Sequence, residues 1–429
     1  MMEFNNLNEV LSYFSEKTKE EVKLHIHSIM ISGCIFKFEL DLDMLLSNFL
    51  WKWPNAKAII FIDILFEKKV DLITFDKKEI EITLNFNESL FKDEVNINGH
   101  IFKRDVSFVK CTFEKKALFQ ENLFKQYFRL SGTTFISDVS FGYSELNKTA
   151  FFSGNEDRVL FKGDVTFWGA IIRDARFWDF IFEKDVNFVN TMFECPVFFN
   201  RSIFKGKVEF GSVETMGKTI FNGNIYFDQA VINEILLTNI LFDTYITFNN
   251  ATINKIKIDN VIFNRGALSL SGTTIRSVTD EQSARILKIE AIKASNQYVA
   301  LDLKAKELRL LNRYLPWNYK NLKEKIVLTF NWLSNDYGQN WIRGVLFTII
   351  SWIIFFSLFI IVRDGWGETF IWSDSQYLTE AANFFWILSG ISGLGENVNW
   401  IGFILFFLGK ISIGYGIYQT ISAFRKYGK

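Results

Sequence analysis

The 429-residue sequence contains only three prolines, three cysteines and three histidines. The cysteines (Cys34, Cys111, Cys195) are far apart and odd in number, which argues against a disulfide framework and favours reduced, buried thiols. His25 and His27 lack a neighbouring cysteine or acidic cluster, so a surface strand is the favoured interpretation. Phosphate-binding glycine loops, nucleophile elbows and zinc-ligand spacings are missing. We therefore expect no catalytic residues, no metal site, no cofactor and no enzymatic activity.

Long apolar runs are present instead, near the C-terminus. Residues 344–362 carry no charge. At about 1.5 Å per residue this run spans roughly 28 Å, the thickness of one hydrocarbon core. A second run, residues 401–423, is similar in length and carries one lysine, Lys410. The sequence thus predicts two transmembrane helices.

The charges around these runs predict the topology. Eight basic residues between positions 304 and 343 precede the first run, and basic residues also follow the second run. The loop between them carries mainly acidic residues. Because basic residues stay on the cytoplasmic side, both termini should be cytoplasmic. The N-terminal residues are polar and show no signal-peptide pattern, so we expect a multi-pass protein of the inner (plasma) membrane with a cytoplasmic soluble part.

From about residue 30 to residue 278 the dominant pattern repeats every five residues, as in Val165-x-Phe167 and Ala170-x-Ile172. Neither a helix nor a simple strand gives this spacing. A square coil does, if each pentad forms one side and its large residue points inward; such fixed-period repetition predicts a β-solenoid. Many of the 48 phenylalanines hold the inward position. We interpret them as core packing and not as a surface for stacking nucleobases, because the outward positions form no basic stripe.

These pentads resemble the pentapeptide-repeat family, whose pattern is a small residue, a polar residue, Leu or Phe, and two polar residues. The resemblance implies a right-handed quadrilateral β-helix with four pentads per coil, and hence about twelve coils. Residues 30–100 fit the pattern less well, and Trp51-Lys52-Trp53-Pro54 interrupts it. We expect irregular early coils there, capped by an N-terminal helix near residues 5–22.

The patterns divide the chain into four segments: an N-terminal helical cap (1–29), the β-helix (30–278), a basic helical juxtamembrane linker (279–340) and a transmembrane pore-loop domain (341–429). In the linker, Thr279-Asp280-Glu281 is typical of a helix N-cap, and Asn335-Asp336-Tyr337-Gly338 leads into the first membrane helix. The arrangement looks like that of membrane-anchored pentapeptide-repeat proteins of bacteria. The seven basic residues between 304 and 325 form either a solvated helix face, the favoured interpretation, or a contact with anionic lipid headgroups.

Between the two membrane helices, residues 381–394 are apolar but too short to cross, which indicates a re-entrant segment. It leads into a candidate filter, Ser392-Gly393-Leu394-Gly395-Glu396. Residues 380–396 are similar to the pore helix and filter of two-helix potassium channels. In that family the filter has the sequence Thr-Val-Gly-Tyr-Gly-Asp. The resemblance places Gly393 and Gly395 on the two filter glycines, which turn carbonyls toward an ion. Ile391 and Ser392 depart from the family's Thr-Val, so potassium selectivity does not follow.

The second membrane helix has two further features. Gly402, Gly409, Gly416 and Ala423 recur every seven residues, which predicts a helix-packing stripe, with chance spacing as the alternative. Lys410 lies near the helix middle, where an unpaired charge costs about 2.5–3.5 kcal/mol or more. In a conduction path it would repel cations, favouring anions or a closed state. Its candidate partners are Glu396 of a neighbouring chain and lipid headgroups.

Together these patterns favour an oligomeric ion channel, with a cation as the expected ion. By resemblance to two-helix channels the chain should form a homo-tetramer, because one hairpin cannot enclose a pore. The expected partners are the lipid bilayer, inorganic ions and an unknown cytoplasmic protein or ligand on the solenoid, but not nucleic acid. Since the solenoid, the helical linker and the pore follow one another directly along the chain, we hypothesise that the partner of the solenoid gates the pore. Unchanged conduction and regulation after deletion of residues 1–278 would exclude this.

Two other functions fit the same patterns. The hairpin could simply anchor a non-conducting interaction scaffold at the membrane. The chain could also be a membrane-depolarising effector, for instance in defence against phage.

Overall fold

The computed structural model describes residues 2–21, 28–148, 150–151, 158–211, 219–263, 268–365, 375–390 and 398–425. The chain forms two compact units, Met1–Ile286 with Glu290–Asn296, and Leu287–Ile289 with Gln297–Lys429. The helices of the described residues are α1 (Leu7–Glu21), α2 (Leu42–Lys52), α3 (Glu281–Lys293), α4 (Gln297–Tyr314), α5 (Leu322–Asn335), α6 (Trp341–Asp364), α7 (Ser375–Phe385) and α8 (Trp400–Phe424).

The first unit is a parallel β-solenoid, which confirms the predicted fold class. Its strands are β1 (Met2–Phe4), β2 (Ser28–Phe36), β3 (Leu40–Asp41), β4 (Ala58–Phe66), β5 (Val70–Ile80), β6 (Thr83–Asn85), β7 (Leu90–Phe91), β8 (Val95–Phe102), β9 (Val106–Ser107), β10 (Thr112–Phe113), β11 (Ala117–Leu118), β12 (Leu123–Phe124), β13 (Phe128–Arg129), β14 (Thr134–Phe135), β15 (Val139–Ser140), β16 (Glu145–Leu146), β17 (Ala150–Phe151), β18 (Leu160–Phe161), β19 (Val165–Thr166), β20 (Ile171–Ile172), β21 (Ala175–Arg176), β22 (Ile181–Phe182), β23 (Val186–Val189), β24 (Met192–Phe193), β25 (Val197–Phe198), β26 (Ile203–Gly211), β27 (Ile220–Phe221), β28 (Ile225–Tyr226), β29 (Val231–Phe242), β30 (Ile246–Thr247), β31 (Thr252–Phe263), β32 (Leu268–Ser269) and β33 (Thr274–Val278).

One regular coil consists of four short strands. Strands β10 to β13 make one coil, after which β14 pairs with β10, so that Phe135 lies beside Phe113, 22 residues earlier. Further along, Phe182 pairs with Phe161 after 21 residues. Insertions lengthen other coils, as between the paired residues Phe204 and Ile232. The expectation of about twelve coils over residues 30–278 was too high. Residues 58–278, most of that range, form about nine coils, because a coil holds more residues than four strict pentads.

The inward phenylalanines stack in columns along the solenoid. In one column, consecutive ring centroids from Phe113 to Phe135, Phe161 and Phe182 lie 4.6, 4.9 and 5.2 Å apart, with nearly parallel planes. This spacing follows the separation of about 4.8 Å between paired strands. All four rings are buried. The interpretation of these residues as core is thereby confirmed.

Corners of the solenoid combine a left-handed residue with a small buried one. At one corner the Ser144 N–H donates to Phe141 O (3.2 Å), and Tyr143 between them has φ of 57°. The Ser144 hydroxyl is buried and donates to Phe119 O of the preceding coil, at 2.6 Å. Since a buried hydroxyl needs a partner, this bond explains how the corners tolerate small polar residues within the core.

The early coils are irregular, as predicted. Phe36 pairs with Phe66, 30 residues later, because α2 lies between β3 and β4 within that coil. The interrupting Trp51-Lys52 is the end of α2, which buries Leu42, Leu45, Leu46 and Phe49. An N-terminal helix is present, α1, and it follows a strand that the sequence did not predict: β1, which pairs with β2.

The cysteines divide into two environments. Cys34 and Cys111 are buried free thiols, whereas Cys195 is free and exposed. Burial raises the pKa of the Cys111 thiol to about 12, so the reactive thiolate is absent near neutral pH. The buried interpretation is thus confirmed for two cysteines and wrong for Cys195, which lies between β24 and β25.

Candidate functional site in the membrane-length helices

Helices α6 and α8 of the second unit have the length and composition of membrane spans. They contain 24 and 25 residues, with mean hydropathies of 2.8 and 1.7 in their most apolar windows. Only 28% and 22% of those windows are buried, whereas the core helix of a soluble protein is mostly buried. The large side chains left outside include Ile350, Ile354, Phe403, Phe407 and Ile411. Such an apolar surface is compatible with a membrane protein.

The two helices pack closely through matching Gly-x-x-x-Thr motifs. A Cβ added to Gly344 of α6 would lie 3.0 Å from the Cα of Thr420 in α8. Reciprocally, a Cβ on Gly416 of α8 would overlap Thr348 Oγ1 and lie 3.1 Å from the Thr348 Cα in α6. Each threonine hydroxyl donates to the glycine carbonyl of its own helix, Thr348 to Gly344 at 2.8 Å and Thr420 to Gly416 at 2.9 Å. Small residues on both sides thus allow the backbones to approach.

The residues of the glycine stripe all lie on buried positions of α8. A Cβ added to Gly402 would lie nearest to Val398. A Cβ added to Gly409 would lie 2.7 Å from the ring of Phe384 in α7. Gly416 faces α6. The sequence interpretation missed Gly344, Thr348 and Thr420, although a Gly-x-x-x-Thr spacing in both apolar runs was available as a signal.

Helix α7 packs against both α6 and α8 and ends near the middle of each. Phe384 near its C-terminus is fully buried, packed with Phe356 and Phe359 of α6 and Ile413 of α8. The Trp352 indole, at the twelfth position of the 24-residue α6, donates to Ala381 O at 3.0 Å. α7 is therefore a half-length helix whose C-terminal end reaches the middle of the hairpin.

Lys410, the eleventh residue of the 25-residue α8, holds this C-terminal end. Its ammonium donates to Asn383 O at 2.9 Å, to Ser389 Oγ at 2.8 Å and to Trp386 O. The nitrogen also lies 5.0 Å from the centre of the Phe406 ring. The last carbonyls of a helix have no donor within the helix. The Lys410 ammonium supplies a donor to Asn383 O, in the last turn of α7, and to Trp386 O directly after it. The lysine thus contacts the half-helix of its own chain.

Residues 386–390, which follow α7, are non-helical and mostly exposed. Trp386 and Leu388 are 64% and 86% exposed, in a stretch of turn and irregular backbone over residues 386–390. The re-entrant segment was predicted at 381–394, but the helix begins earlier, at Ser375, and ends at Phe385. The early start includes polar residues that an apolar run does not reveal. The candidate filter residues Ser392, Gly393, Leu394, Gly395 and Glu396 lie outside the described residues.

A buried ion pair that the sequence interpretation did not identify joins the middle of α7 to the end of α6. Arg363, near the end of α6, binds Glu380 of α7 at 2.9 Å and Asp364 at 2.7 Å. Glu380 is only 4% exposed. A buried carboxylate needs such a partner, so the pair fixes α7 against the end of α6.

Polar side chains join α5 to the opposite end of α8. Asn335 donates to Gln419 O at 3.0 Å, and Gln419 in turn donates to Asn331 Oδ1 at 3.0 Å. The Tyr415 hydroxyl donates to the same Asn331 oxygen at 3.2 Å. Residues 336–338, which follow α5, all have positive φ, so the chain turns sharply before α6. These amides were not predicted, because no local pattern relates residues more than eighty positions apart.

Helix α4 is tied to the same turn. Arg309 binds Asp336 through two hydrogen bonds of 3.0 and 2.7 Å. A paired guanidinium and carboxylate of this geometry fixes both position and orientation. The linker helices α4 and α5 and the start of α6 are therefore joined by specific polar contacts.

The described residues contain no group of three or more His, Cys, Asp or Glu suited to a metal ion, and His25 and His27 lie outside them. Comparison with known proteins finds no match: no family model, no curated protein and no solved structure is significantly similar to this chain.

Proposed function

We propose that the chain is one subunit of an inner-membrane ion channel, with a pore formed by the second unit in a homo-oligomer, expected to be a tetramer. The observation that carries the proposal is the half-length helix α7, followed by the exposed, non-helical residues 386–390 at the middle of the hairpin. Within hydrocarbon, non-helical backbone is tolerated only where protein buries it or where it lines a water-filled cavity. A ring of subunits both buries part of this backbone in protein and encloses a water-filled cavity.

The sequence that follows supports a pore at this place. Residues 391–397 continue directly from the exposed segment and contain Gly393 and Gly395, the two positions similar to the filter glycines of two-helix potassium channels. Glycine adopts the left-handed backbone that turns successive carbonyls toward an ion. We therefore assign the ion path to residues 392–396.

Helix α5, which lies in the basic linker before the first membrane-length helix, has an apolar surface that fits a membrane interface. Helix α5 exposes large apolar side chains, including Val327, Phe330 and Leu333, while its Asn331 and Asn335 bond to α8. An amphipathic helix next to a span lies in the interface, with its apolar face in the acyl region. We propose that α5 occupies the cytoplasmic interface and that both termini are cytoplasmic.

We propose that the solenoid is cytoplasmic. Its repeats support membership of the pentapeptide-repeat family, and the surface of such a rod is suited to binding a cytoplasmic protein or ligand. That partner is the proposed gating signal.

Substitution of Gly395 by valine tests the pore. We expect Gly395→Val to reduce ion flux into liposomes to the level of empty liposomes, because a β-branched residue does not adopt the left-handed backbone that a filter requires. The measurement is flux through the purified full-length chain, with wild type beside the variant. Gly414→Ala is the control, since among the described residues an added Cβ there meets only Ile387 Cδ1, at 3.8 Å.

The alternatives give different results in the same experiment. Undiminished flux through Gly395→Val would show that the ions do not pass this loop. A correctly inserted wild-type oligomer without flux would favour the non-conducting scaffold. Growth arrest with loss of membrane potential on expression would favour the depolarising effector.

A further inference from the structure

The structure divides the basic residues before the first membrane-length helix into two groups. Three of the seven basic residues between positions 304 and 325 are bound within the protein: Lys306 to Asp302, Arg309 to Asp336, and Lys325 to Asn312 O. The side chains of the second group are exposed: Lys304, Arg313, Lys320 and Lys323. The exposed group is available to a partner outside the chain.

Three of these four exposed residues lie in the segment that connects α4 to α5, residues 313–323, which we call the basic turn. The same segment exposes three aromatic side chains, Tyr314, Trp317 and Tyr319, the last of them to 97%. Tryptophan and tyrosine are enriched at the level of the lipid headgroups, where one part of the ring is apolar and the other polar. Basic and aromatic side chains together are typical of a surface that meets a membrane.

The shape of the basic turn is fixed by contacts with its neighbours. Leu315 packs against a buried cluster that includes Leu328 of α5. The Lys325 ammonium donates to Asn312 O and lies 5.4 Å from the centre of the Trp317 ring. The exposed side chains therefore extend from a preformed loop, and binding has to order few further groups.

The basic turn leads directly into the apolar face of α5. Leu322, Ile326 and Phe330 are exposed at a spacing of four residues and define this face. At about 100° per residue, Lys323 lies about 60° from the middle of the face, whereas Glu324 lies about 160° from it. The edge of the apolar face is therefore basic, and the acidic residue of this turn is on the opposite side of the helix.

Exposed basic residues also mark the adjoining ends of both membrane-length helices. Arg343 is in the first turn of α6, and Arg425 directly follows α8. Helix α5 is bonded near the same end of α8, through Asn335 and Gln419. The apolar face of α5 is thus held beside the ends of the two candidate spans at which positive charge is exposed.

We propose that the basic turn binds the anionic headgroups of phospholipids in the cytoplasmic leaflet. This inference rests on the proposed placement of α5 in the cytoplasmic interface. It replaces the solvated helix face that the sequence favoured for these residues. Each lysine or arginine close to an anionic membrane surface strengthens the attraction by about 5-fold. The aromatic side chains of the turn occupy the headgroup level beside these charges.

Preference for an anionic lipid tests the inference without any substitution. The purified full-length chain in neutral detergent is titrated with phosphatidylglycerol that carries pyrene on an acyl chain, and energy transfer from the tryptophans reports binding. Unlabelled phosphatidylglycerol and phosphatidylcholine are then compared as competitors. For three charges we expect phosphatidylglycerol to compete about 100-fold better, and the preference to fall as KCl is raised, because salt screens exposed charges.

Three results of this titration overturn the inference. Equal competition by the two lipids means that the site does not recognise anionic headgroups. A preference that is independent of KCl means that exposed charges do not produce it. Competition by inorganic phosphate as effective as that by phosphatidylglycerol means that the site serves a soluble anion instead of a membrane.

Two variants locate the binding site. Lys320→Gln combined with Lys323→Gln removes two charges of the basic turn and keeps Lys325 with its contacts, so the preference should fall by about 25-fold. Lys304→Gln is the matched control. Lys304 is exposed on α4, nine residues before Arg313 and hence on the opposite side of that helix, and its removal should leave the preference unchanged. Equal losses in both variants, or no loss in the double variant, overturn the inference.

The lipid titration and the flux measurement fail separately. A chain that prefers phosphatidylglycerol but carries no ions keeps this inference and overturns the channel. A chain that carries ions through the filter segment but has no lipid preference keeps the channel and overturns this inference. Gel filtration of each variant in detergent establishes that it is folded and assembled.

Discussion

Gly416→Ala is expected to destabilise the hairpin strongly, whereas Gly414→Ala, two residues away on the same helix, is expected to be harmless. At position 416 a Cβ would overlap Thr348 Oγ1 and lie 3.1 Å from both Thr348 Cα and Phe347 Cδ1. Thr348 is held by its own hydrogen bond to Gly344, so α6 and α8 have to separate. Overpacking of this kind costs about 1–3 kcal/mol, and we expect the upper end because backbone is involved.

Thermal unfolding of the purified protein in detergent, followed by tryptophan fluorescence, measures the difference. At position 414 an added Cβ is in ordinary contact, 3.8 Å from Ile387 Cδ1, and alanine favours helix by about 1 kcal/mol over glycine. Gly344→Ala should resemble Gly416→Ala, since the two motifs face each other. Equal melting temperatures for the 414 and 416 variants would contradict the close packing.

Phe188→Ala should destabilise the solenoid by about 3–5 kcal/mol, the usual cost of removing a buried phenylalanine. The ring is 0% exposed and stacks between Phe167 and Phe210, with centroids 4.9 Å away on each side. The resulting cavity would be enclosed by rings of the neighbouring coils. Denaturant unfolding of the full-length chain, followed by circular dichroism, measures the loss.

Ile262→Ala is the matched control for this prediction. Ile262 is also in the solenoid, but it is 55% exposed, so its truncation should change stability by no more than about 0.5 kcal/mol. Similar losses for both variants would mean that the phenylalanine columns do not dominate the stability of the unit.

The solenoid was predictable because its inward positions recur about every five residues over many coils. The coil count was not, because the gaps between inward residues vary: from Phe113 to Phe119 and to Phe124 the steps are six and five residues. Averaged over many coils, these extra residues and the inserted α2 reduce the number of coils. A periodic pattern therefore identifies the architecture better than its length.

The half-helix was predicted in kind but not in position or contacts. Apolar character alone locates the buried part of α7 and omits its polar start at Ser375. The partner of Lys410 was not predictable, because its acceptors lie more than twenty residues away in sequence and meet it only after the hairpin packs. The exposure of Cys195 was not predictable either, because it depends on the position of the residue between β24 and β25.

The amide contacts of α5 have a mechanical consequence. Lys410 and Gln419 lie nine residues apart on one uninterrupted helix, α8, a separation of about 13 Å along the axis. One residue holds the end of α7, and the other is bonded to α5. Any rotation of α8 about its axis turns both residues together, so a torque applied to α5 is transmitted along α8 to the end of the half-helix.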